Sequence, residues 1–302
     1  MKINSPIVLI CFNRPSETKK VLNKIKSIRP QKLFIIMDGP RKNNVKDKIN
    51  CKKVEKIVSN LQLSCKILKN FSNKNLGLKK RIKTGLNWVF TKTDKAIILE
   101  DDCLPRKDFF YFCDNLLEYY KYSKKVRFIT GNNFQNKNYK FANSYYFSKY
   151  SHIWGWATWR DSWKLYKDND LTWEKYLNSK KFEEICPKII ERRYWRSMFQ
   201  KVRKGKLKSW SLYFLFSLWK AKGLTATPKF NLVRNLGFNK KGTNTKNMDI
   251  FLNNKYLKLG KDLNHPNEIL QNISADNYVF NNVYNTSLSK KISNLIFKFF
   301  ND

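Results

Sequence analysis

The chain has 302 residues and a formal net charge of +38, because 61 lysines and arginines outnumber 23 aspartates and glutamates. Its hydrophobic content of 42% suffices for a packed core, yet no run of about 18 apolar residues predicts a transmembrane helix. Six cysteines without C-x-x-C spacing, accompanied by only two histidines, argue against a zinc cluster and favour reduced thiols in a cytoplasmic protein.

Strands and helices alternate through the first third of the chain. Continuous apolar runs predict buried strands at residues 5–12, 33–37, 65–68 and 96–100. The segments between them carry apolar residues at helical spacing, and these are Val21, Leu22, Ile25 and Ile28, then Val54, Ile57, Val58 and Leu61, then Ile82, Leu86, Val89 and Phe90. Such alternation predicts right-handed crossovers, a parallel sheet and an α/β fold.

The fourth of these strands ends in three consecutive carboxylates, Glu100, Asp101 and Asp102, in a chain that is otherwise basic. Three acids are not buried without partners, so we expect them at the carboxyl end of the strand, where open α/β sheets bind ligands. Closely spaced carboxylate oxygens favour Mg²⁺ or Mn²⁺, and such a cation favours a diphosphate ligand. The alternative is a solvated acidic turn before a helix that starts near Asp108.

Three loops leave predicted strands at their carboxyl ends, after Phe12, Met37 and Leu99, so they can line one crevice. A nucleotide fits such a crevice. The chain has neither G-x-G-x-x-G after the first strand nor G-x-x-x-x-G-K-[ST], which argues against a dinucleotide-binding fold and against a P-loop. Neutralisation of phosphate is therefore expected from a metal cation and from arginine or lysine.

Four tryptophans lie close together, at Trp154, Trp156, Trp159 and Trp163. The last three share one face of a helix, which predicts either core packing or a flat wall against a sugar ring. Gly155, between two tryptophans, indicates close approach of the backbone to a ligand or to a strand.

The remaining third of the chain contains helical, extended and polar segments. Residues 182–222 have a helical pattern, and short extended pieces follow at 223–228 and 231–238. Residues 239–254 are polar and predict a loop. Residues 288–300 predict an amphipathic helix that packs on the protein's own core or, as the alternative, lies on a membrane surface.

Five short motifs follow one another in a fixed order. They are residues 6–15, Met37-Asp38-Gly39, Asn75-Leu76-Gly77, Leu99-Glu100-Asp101-Asp102 and Gly155-Trp156. In this order they resemble the motifs of the GT-A glycosyltransferases, a family 2-like group, and most of all the bacterial relatives of N-acetylglucosaminyltransferase I. The resemblance runs from about residue 5 to about residue 245.

The resemblance implies a fold and a division of the chain. It implies a Rossmann-like, mostly parallel sheet flanked by helices, with a helical, aromatic-rich C-terminal half on the acceptor side. We accordingly expect a nucleotide-sugar-binding half at residues 1–131, an acceptor-side half of the same domain at 132–250 and a helical tail at 251–302.

The resemblance also implies roles for individual residues. It assigns donor binding to Phe12, Asn13, Arg14, Asp38, Gly39, Arg81, Glu100, Asp101, Gly155 and Trp156. Within this set Arg14 and Asp38 line the nucleotide pocket, with Asp38 accepting from uracil or ribose, and Trp156 faces the transferred sugar. Asp102 is implied to hold Mn²⁺ or Mg²⁺ as the metal-binding acid of a D-x-D-like motif.

The expected catalytic base departs from the family pattern. Relatives carry an acid directly after a tryptophan in a helical region, and the best match here, Trp210-Ser211, has a serine. A hydroxyl is a poor base, so either the register differs or another residue accepts the proton. The candidates are Asp161, Asp168, Asp170 and Glu174. Asn244 likewise stands where relatives often have histidine, a stronger metal ligand.

These observations predict an inverting, metal-dependent glycosyltransferase that moves a sugar from a nucleotide donor, UDP-linked, to a cell-surface polysaccharide, lipopolysaccharide or lipid-linked acceptor. The alternative is a protein of the same fold that binds sugar nucleotides or glycans without turnover. The charge favours peripheral contact with the inner face of an anionic membrane. Specific nucleic-acid binding is the least favoured interpretation, because the abundance of lysine, asparagine and isoleucine indicates AT-rich coding bias and no nucleic-acid-binding motif stands out.

Overall fold

The structure is a computed structural model, and it describes residues 3–136, 139–168, 172–237, 259 and 262–285. Four predicted features lie outside these residues, namely the polar segment at 239–254, the amphipathic tail at 288–300, Asp170 and Asn244. They stay predictions.

Within the described residues, eight strands form one mixed sheet and two more form a small ribbon. In chain order the strands are β1 (Ile7–Cys11), β2 (Lys32–Met37), β3 (Lys66–Phe71), β4 (Lys95–Glu100), β5 (Cys103–Pro105), β6 (Val126–Thr130), β7 (Tyr145–Ser148), β8 (Trp156–Trp159), β9 (Leu224–Pro228) and β10 (Val233–Asn235). The large sheet has the order β3-β2-β1-β4-β8-β6-β9-β7, and the ribbon pairs β5 with β10. Strands β3, β2, β1 and β4 are parallel, whereas β8 pairs antiparallel with both β4 and β6.

Helices cover both faces of the sheet. They are α1 (Pro15–Ser27), α2 (Val45–Ser59), α3 (Leu78–Phe90), α4 (Lys107–Tyr119), α5 (Arg160–Trp163), α6 (Trp173–Leu177), α7 (Lys180–Ile185), α8 (Ile189–Arg203), α9 (Trp210–Lys220) and α10 (Ile273–Val279), followed by a π-helical turn at Phe280–Tyr284. Neighbouring residues of a strand point to opposite faces, so Leu9 packs in one core cluster with Val21 and Val54, and Val8 packs in the other with Ile82. In the described ranges, no helix is both long and apolar enough to cross a bilayer.

The order of the central strands creates a switch point between β1 and β4. From β1 the chain moves outward through β2 to β3, then returns to place β4 on the other side of β1, with Ile10 opposite Glu100. The loops that follow β1 and β4 therefore both leave the carboxyl ends of the parallel strands, and they diverge from there. In open α/β sheets this is the place where ligands bind.

The predicted alternation of strands and helices is confirmed as far as Glu100, with element ends displaced by only a few residues. The strand prediction is correct because strands that are covered on both faces have nearly continuous apolar sequences. The α/β fold with a mostly parallel sheet flanked by helices is likewise confirmed.

The predicted helical face of tryptophans is wrong, because this segment forms the strand β8. Side chains alternate along a strand, so Trp156 and Trp159, three residues apart, point to opposite faces of the sheet. Trp156 stacks on Phe128 with ring centroids 5.0 Å apart, and only Trp163 lies in a helix, α5. Core packing, one of the two roles considered, describes all three tryptophans.

The predicted helical stretch at 182–222 corresponds to the run from α7 to α9, and the extended pieces that follow correspond to β9 and β10. Strands from both predicted halves belong to the one large sheet. The assignment of nucleotide-sugar binding to residues 1–131 and of the acceptor side to residues 132–250 stays a prediction.

Candidate functional site

The three acids lie at the switch point, between the end of β4 and the start of β5. Strand β5 pairs antiparallel with β10, with Cys103 opposite Asn235. Immediately beyond this ribbon, the Leu236 N–H donates to the carbonyl of Asp102 at 2.7 Å. The backbone of Asp102 is thus held between the central sheet and the segment that follows β10.

Arg14 joins the loop after β1 to these acids. Its Nη1 atom lies 3.0 Å from Oδ1 of Asp101 and 2.8 Å from Oδ2 of Asp102. The N–H of Phe12 donates to the second oxygen of Asp101 at 3.0 Å. Asp101 is buried, whereas the Arg14 side chain is 47% exposed. The structure therefore brings Phe12, Arg14, Asp101 and Asp102 together.

Three carboxyl groups crowd this corner of the crevice. Burial, together with the neighbouring charges of Asp102 and Asp101, raises the pKa of Glu100 to about 8, against the influence of Arg14. Burial also raises the pKa of Asp101 to about 6, although the Arg14 guanidinium opposes that increase. Three carboxyl groups share one arginine, and a further cation would stabilise their ionised forms, so the site favours binding one.

The acids fit a hard divalent cation that shares its coordination with a ligand. Among the described residues, no three side chains of His, Cys, Asp or Glu converge as a ready-made metal cage. Mg²⁺ and Mn²⁺ need no such cage, because they are commonly held by one or two carboxylates together with phosphate oxygens and water. Asp102 can supply the carboxylate, and Arg14 already occupies the space between Asp101 and Asp102 as a counter-cation.

Gly237 borders the Asp102 carboxylate, a contact that the sequence did not indicate. A Cβ atom on Gly237 would lie 2.9 Å from Oδ2 of Asp102 and 3.0 Å from Oδ1 of Asn235. The Gly237 N–H donates to that Asn235 oxygen at 2.7 Å. Only a residue without a side chain leaves this oxygen of Asp102 undisturbed.

Asp38 supports the crevice from within instead of facing it. Its Oδ1 accepts from the N–H groups of Gly39 and Leu76 at 3.0 and 2.9 Å. Its Oδ2 accepts from Nδ2 of Asn75 at 3.1 Å and from the Gly77 N–H at 3.2 Å. An ionised carboxylate has about four acceptor positions, so the protein fills them all. The predicted hydrogen bond from uracil or ribose to Asp38 is therefore not supported by this geometry.

Gly39 and Arg81 also hold loops in place. A Cβ atom on Gly39 would lie 2.6 Å from backbone atoms of both Ser72 and Lys74, so this glycine allows two loops to pack closely. Arg81 is buried and donates through Nη2 to the carbonyl and to Oδ1 of Asn70 at the end of β3. Burial lowers the pKa of Arg81.

A second arginine, missed in the sequence, borders the same crevice. Arg41 makes two hydrogen bonds to Asp47, from Nε at 2.5 Å and from Nη2 at 3.0 Å. Asn13 donates to the same carboxylate at 2.7 Å, and the Arg41 guanidinium lies 5.8 Å from the centre of the Phe12 ring. The hydrogen bond from Arg41 holds the pKa of Asp47 below its ordinary value. The sequence places Arg41 in the loop after β2, and this position could have identified it as a residue of the crevice.

Gly155 and Trp156 do not line the crevice in the predicted way. Gly155 has φ +69°, and a Cβ there would lie 2.7 Å from a methyl group of Val233, so it allows close packing against protein. Trp156 is 1% exposed and offers no face to a sugar. Trp154, two residues earlier, is only partly buried and lines a cavity at this edge of the sheet.

Ser211, the predicted base position, lines that same cavity. The cavity has a volume of about 220 Å³, and its walls include the rings of Phe134, His152, Trp154, Trp195 and Tyr284. We call it the aromatic cavity. The Ser211 hydroxyl lies 3.1 Å from that of Ser209, and no carboxylate of the described residues lines the cavity.

Asp161, the other predicted catalytic residue, lies at the opposite end of the strands from the three acids. It borders a polar cavity of about 430 Å³ beside Asp94 and Lys95, where β4 begins, and forms an ion pair with Lys164 at 3.4 Å. Strand β4 rises roughly 3.3 Å per residue, so its two ends are separated by roughly 17 Å. Asp161 is therefore too distant to act on a ligand held at Glu100.

The other two described base candidates are engaged in ion pairs with lysine or arginine. Asp168 lies 2.7 Å from Nζ of Lys83 and 3.4 Å from that of Lys79. Glu174 pairs with Arg203 at 2.5 Å, and both side chains are exposed. Asp168 is thus held at the first turns of α3, directly after the turn at residues 75–77, whereas Glu174 pairs at the protein surface.

No protein-family model matches the chain, and no curated protein matches it. Among solved structures, it is similar to 4-diphosphocytidyl-2C-methyl-D-erythritol synthase from Anaerococcus prevotii DSM 20548, with 9% identity over 77% of this chain and 93% of that chain and a TM-score of 0.43. It is also similar to a mannosyltransferase from Pyrobaculum calidifontis in complex with GDP-Man and Mn²⁺, with 11% identity over 54% of this chain and 46% of that chain and a TM-score of 0.36.

A third similar structure is the inositol-1-phosphate CTP transferase from T. maritima, with 7% identity over 75% of this chain and 85% of that chain and a TM-score of 0.35. At these TM-scores the likenesses do not decide the function of this chain. The specific relationship to N-acetylglucosaminyltransferase I stays a prediction. The chain has a Rossmann-like α/β fold with a mostly parallel sheet flanked by helices.

Proposed function

We propose that the chain is a metal-dependent glycosyltransferase that takes a sugar from a nucleotide donor, with UDP as the nucleotide. The acceptor in this proposal is a cell-surface glycan or a lipid-linked saccharide. One observation carries the proposal: Arg14 and the acids Asp101 and Asp102 meet across the switch point of an open α/β sheet.

The diphosphate of the donor fits the charges at this point. Arg14 and Arg41 are exposed cations in the loops after β1 and β2, and each is paired with a carboxylate that positions it. A guanidinium binds phosphate oxygens through two parallel donors, so either arginine can take one phosphate group. In the proposed complex Arg14 exchanges one carboxylate oxygen for a phosphate oxygen.

Asp102 is the residue we propose to hold Mn²⁺ or Mg²⁺, with Asp101 and Glu100 beside it. When bound, such a cation offsets the charge that develops on the leaving nucleoside diphosphate. Arg14 pairs with Asp101 and Asp102 and acts on Glu100 only through its charge, so we propose that the Glu100 oxygens contact the donor sugar or ribose. Asp38 acts through the loop at residues 75–77, which it holds at the crevice wall.

The experiment that tests the proposal has two steps. Calorimetry with UDP, GDP and CDP, each with and without Mn²⁺, measures whether a nucleotide binds and whether the metal is required. Mass spectrometry then measures hydrolysis or transfer with a panel of sugar nucleotides. We expect metal-dependent binding of UDP and turnover of at least one UDP-sugar. Absence of nucleotide binding under all conditions would contradict the proposal.

A second candidate function is binding without catalysis. It is favoured by the absence of a carboxylate among the described residues that line the aromatic cavity, where Ser211 takes the place of the expected base. This candidate predicts that UDP and Mn²⁺ bind while no sugar nucleotide of the panel is consumed. The same two measurements therefore separate the two candidates.

We also propose that the chain associates with anionic membranes, independently of its reaction. A net charge of +38 attracts the chain to anionic lipid surfaces and to acceptors that carry a lipid-linked phosphate. Sedimentation with anionic vesicles measures it directly. Binding that is equally strong to neutral vesicles would contradict an electrostatic origin.

A further inference from the structure

We infer that the aromatic cavity binds one uncharged sugar ring of the acceptor. The inference rests on the proposed function, because a sugar acceptor has meaning only beside a donor site. It adds the class of sugar that the acceptor presents and the residues that recognise it.

The location of the cavity beside the acids is the first step. Strands β4 and β8 pair antiparallel, with Ile98 opposite Trp156. Continuing this register by two residues places Trp154 at the level of Glu100. The intervening Gly155 supports that placement, because a Cβ on it would lie 3.2 Å from the side chain of Leu99. A ring in the cavity therefore lies next to the proposed donor site.

The walls of the cavity consist of rings that support one another. Phe134 meets Trp154 edge to face with centroids 5.2 Å apart, and it meets His152 in the same way at 4.5 Å. Across the cavity, Tyr284 meets Trp195 edge to face at 4.9 Å. Pyranose rings have apolar C–H faces that stack on aromatic rings, so such walls match a sugar.

Two buried donors at the cavity lack partners. Nδ2 of Asn132 and Nε1 of Trp195 make no hydrogen bond within the described part of the chain, and both residues are only 1% exposed. The amide of Asn132 has a defined orientation, because its Oδ1 accepts from the Trp154 N–H at 2.9 Å. Buried donors without partners are costly, so binding favours a small side-chain shift that brings sugar hydroxyl or acetamide oxygens within their reach.

The cavity also selects by charge and size. In a chain with a net charge of +38, no lysine, arginine, aspartate or glutamate occurs among its described lining residues. Burial lowers the pKa of His152 to about 3, so that its imidazole is neutral. A volume of about 220 Å³ is below the roughly 300 Å³ at which pockets for drug-sized ligands begin. These properties favour one neutral ring over a uronic acid, a phosphate or a nucleotide.

The test is saturation-transfer NMR on the full chain with the methyl glycosides of glucose, N-acetylglucosamine, rhamnose and glucuronic acid. We expect transfer to ring protons of at least one neutral glycoside and none to the glucuronide. Trp154→Ala should lower the affinity for that glycoside about ten-fold. Trp88→Ala is the matched control, because Trp88 is also a partly buried tryptophan but lies on α3, against Phe34.

A second variant keeps the aromatic walls intact. Leu212→Trp fills the cavity from the side of α9 and should abolish glycoside binding without removing a ring. Calorimetry with UDP and Mn²⁺ on each variant is a separate readout, so loss of the acceptor sugar and loss of the donor are distinguishable. Absence of binding by every neutral glycoside would overturn the inference, even if UDP binds normally.

Two further outcomes also overturn the inference. One is equal binding of the glucuronide and the neutral glycosides, because the cavity would then not select by charge. The other is saturable binding of farnesyl phosphate, lost in Leu212→Trp, with no glycoside bound, which would make the cavity a lipid site.

Discussion

The Nη1 atom of Arg14 lies 2.8 Å from Oδ2 of Asp102, although the two residues are separated by 88 positions in the chain. This ion pair connects the loop after β1 to the loop after β4 across the switch point. It also means that a metal ion and Arg14 seek the same carboxylate oxygen. The first prediction concerns this competition.

Replacing Arg14 by methionine should weaken the fold and strengthen its response to metal. The buried Asp101 loses its ion pair, so we expect the free energy of unfolding to fall by roughly 1–3 kcal/mol. Mn²⁺ should then raise the melting temperature more in Arg14→Met than in the original chain. Thermal unfolding with and without Mn²⁺ measures both effects, and Lys20→Met, exposed on α1, is the charge-matched control. An equal response to Mn²⁺ in both proteins would argue against competition.

Asp102→Asn should remove metal-dependent nucleotide binding while preserving the shape of the side chain. An amide is a weak ligand for Mn²⁺, so we expect UDP affinity in the presence of Mn²⁺ to fall at least about ten-fold. Glu55→Gln, an exposed site on α2, makes the same change of charge and should leave affinity unaltered. Calorimetry compares the three proteins. Unchanged affinity in Asp102→Asn would remove Asp102 as the metal-binding acid.

The metal-free protein should lose stability as the pH rises, in part because of Glu100. Its pKa is raised to about 8 in the folded chain from an ordinary value of 4.5, so the folded state holds the proton more tightly across this interval. The contribution of Glu100 is therefore present at low pH and is lost as the pH rises toward 8. Asp101, with a pKa of about 6, acts in the same direction at lower pH.

Glu100→Gln removes the larger of these contributions. We expect the variant to gain stability relative to the original chain from pH 5 to pH 8, by at most roughly 1.4 kcal/mol for each pH unit. Urea unfolding in the presence of a chelator measures the difference. A constant difference across this range would contradict the assignment of the titration to Glu100.

Gly237→Ala should disturb the metal site more than the fold. The added methyl group would lie 2.9 Å from Oδ2 of Asp102, so the carboxylate must turn away from its present position. We expect a several-fold loss of Mn²⁺-dependent UDP affinity. Gly205→Ala provides the contrast, because Gly205 has φ +69° and open space around it, so alanine there costs about 1 kcal/mol of strain without touching the site. Equal effects of both changes on UDP affinity would contradict the contact.

Asp161→Asn should leave donor turnover within about two-fold of the original chain, because Asp161 lies near the start of β4 and Glu100 lies at its end. Mass-spectrometric turnover with the active UDP-sugar measures this. A loss of a hundred-fold or more would instead restore Asp161 as a base.

The sequence predicts the sheet and the shared location of the loops that carry Arg14 and Asp101, because both depend on local patterns. Four apolar runs define parallel strands, and the loops after neighbouring strands leave the same edge. The prediction for the tryptophan segment is wrong because three aromatic residues at helical spacing also fit a strand followed by a short helix. Packing against β4 and β6 decides between these, and that information is not local.

The finer organisation of the site could not be predicted for a related reason. Whether Asp38 faces a ligand or the loop at residues 75–77 depends on how two loops fold against each other. The contact of Gly237 with Asp102 depends on the ribbon between β5 and β10. Neither contact can be recognised from the spacing of residues along the chain.

The saturated carboxylate of Asp38 has a consequence for how a ligand enters. Three of its four hydrogen bonds tie the loop after β2 to the turn before α3, so one wall of the crevice is rigid before any nucleotide arrives. Little conformational entropy is then lost on that side during binding. The reorganisation that accompanies binding falls instead on Arg14, the side chain that has to change partners.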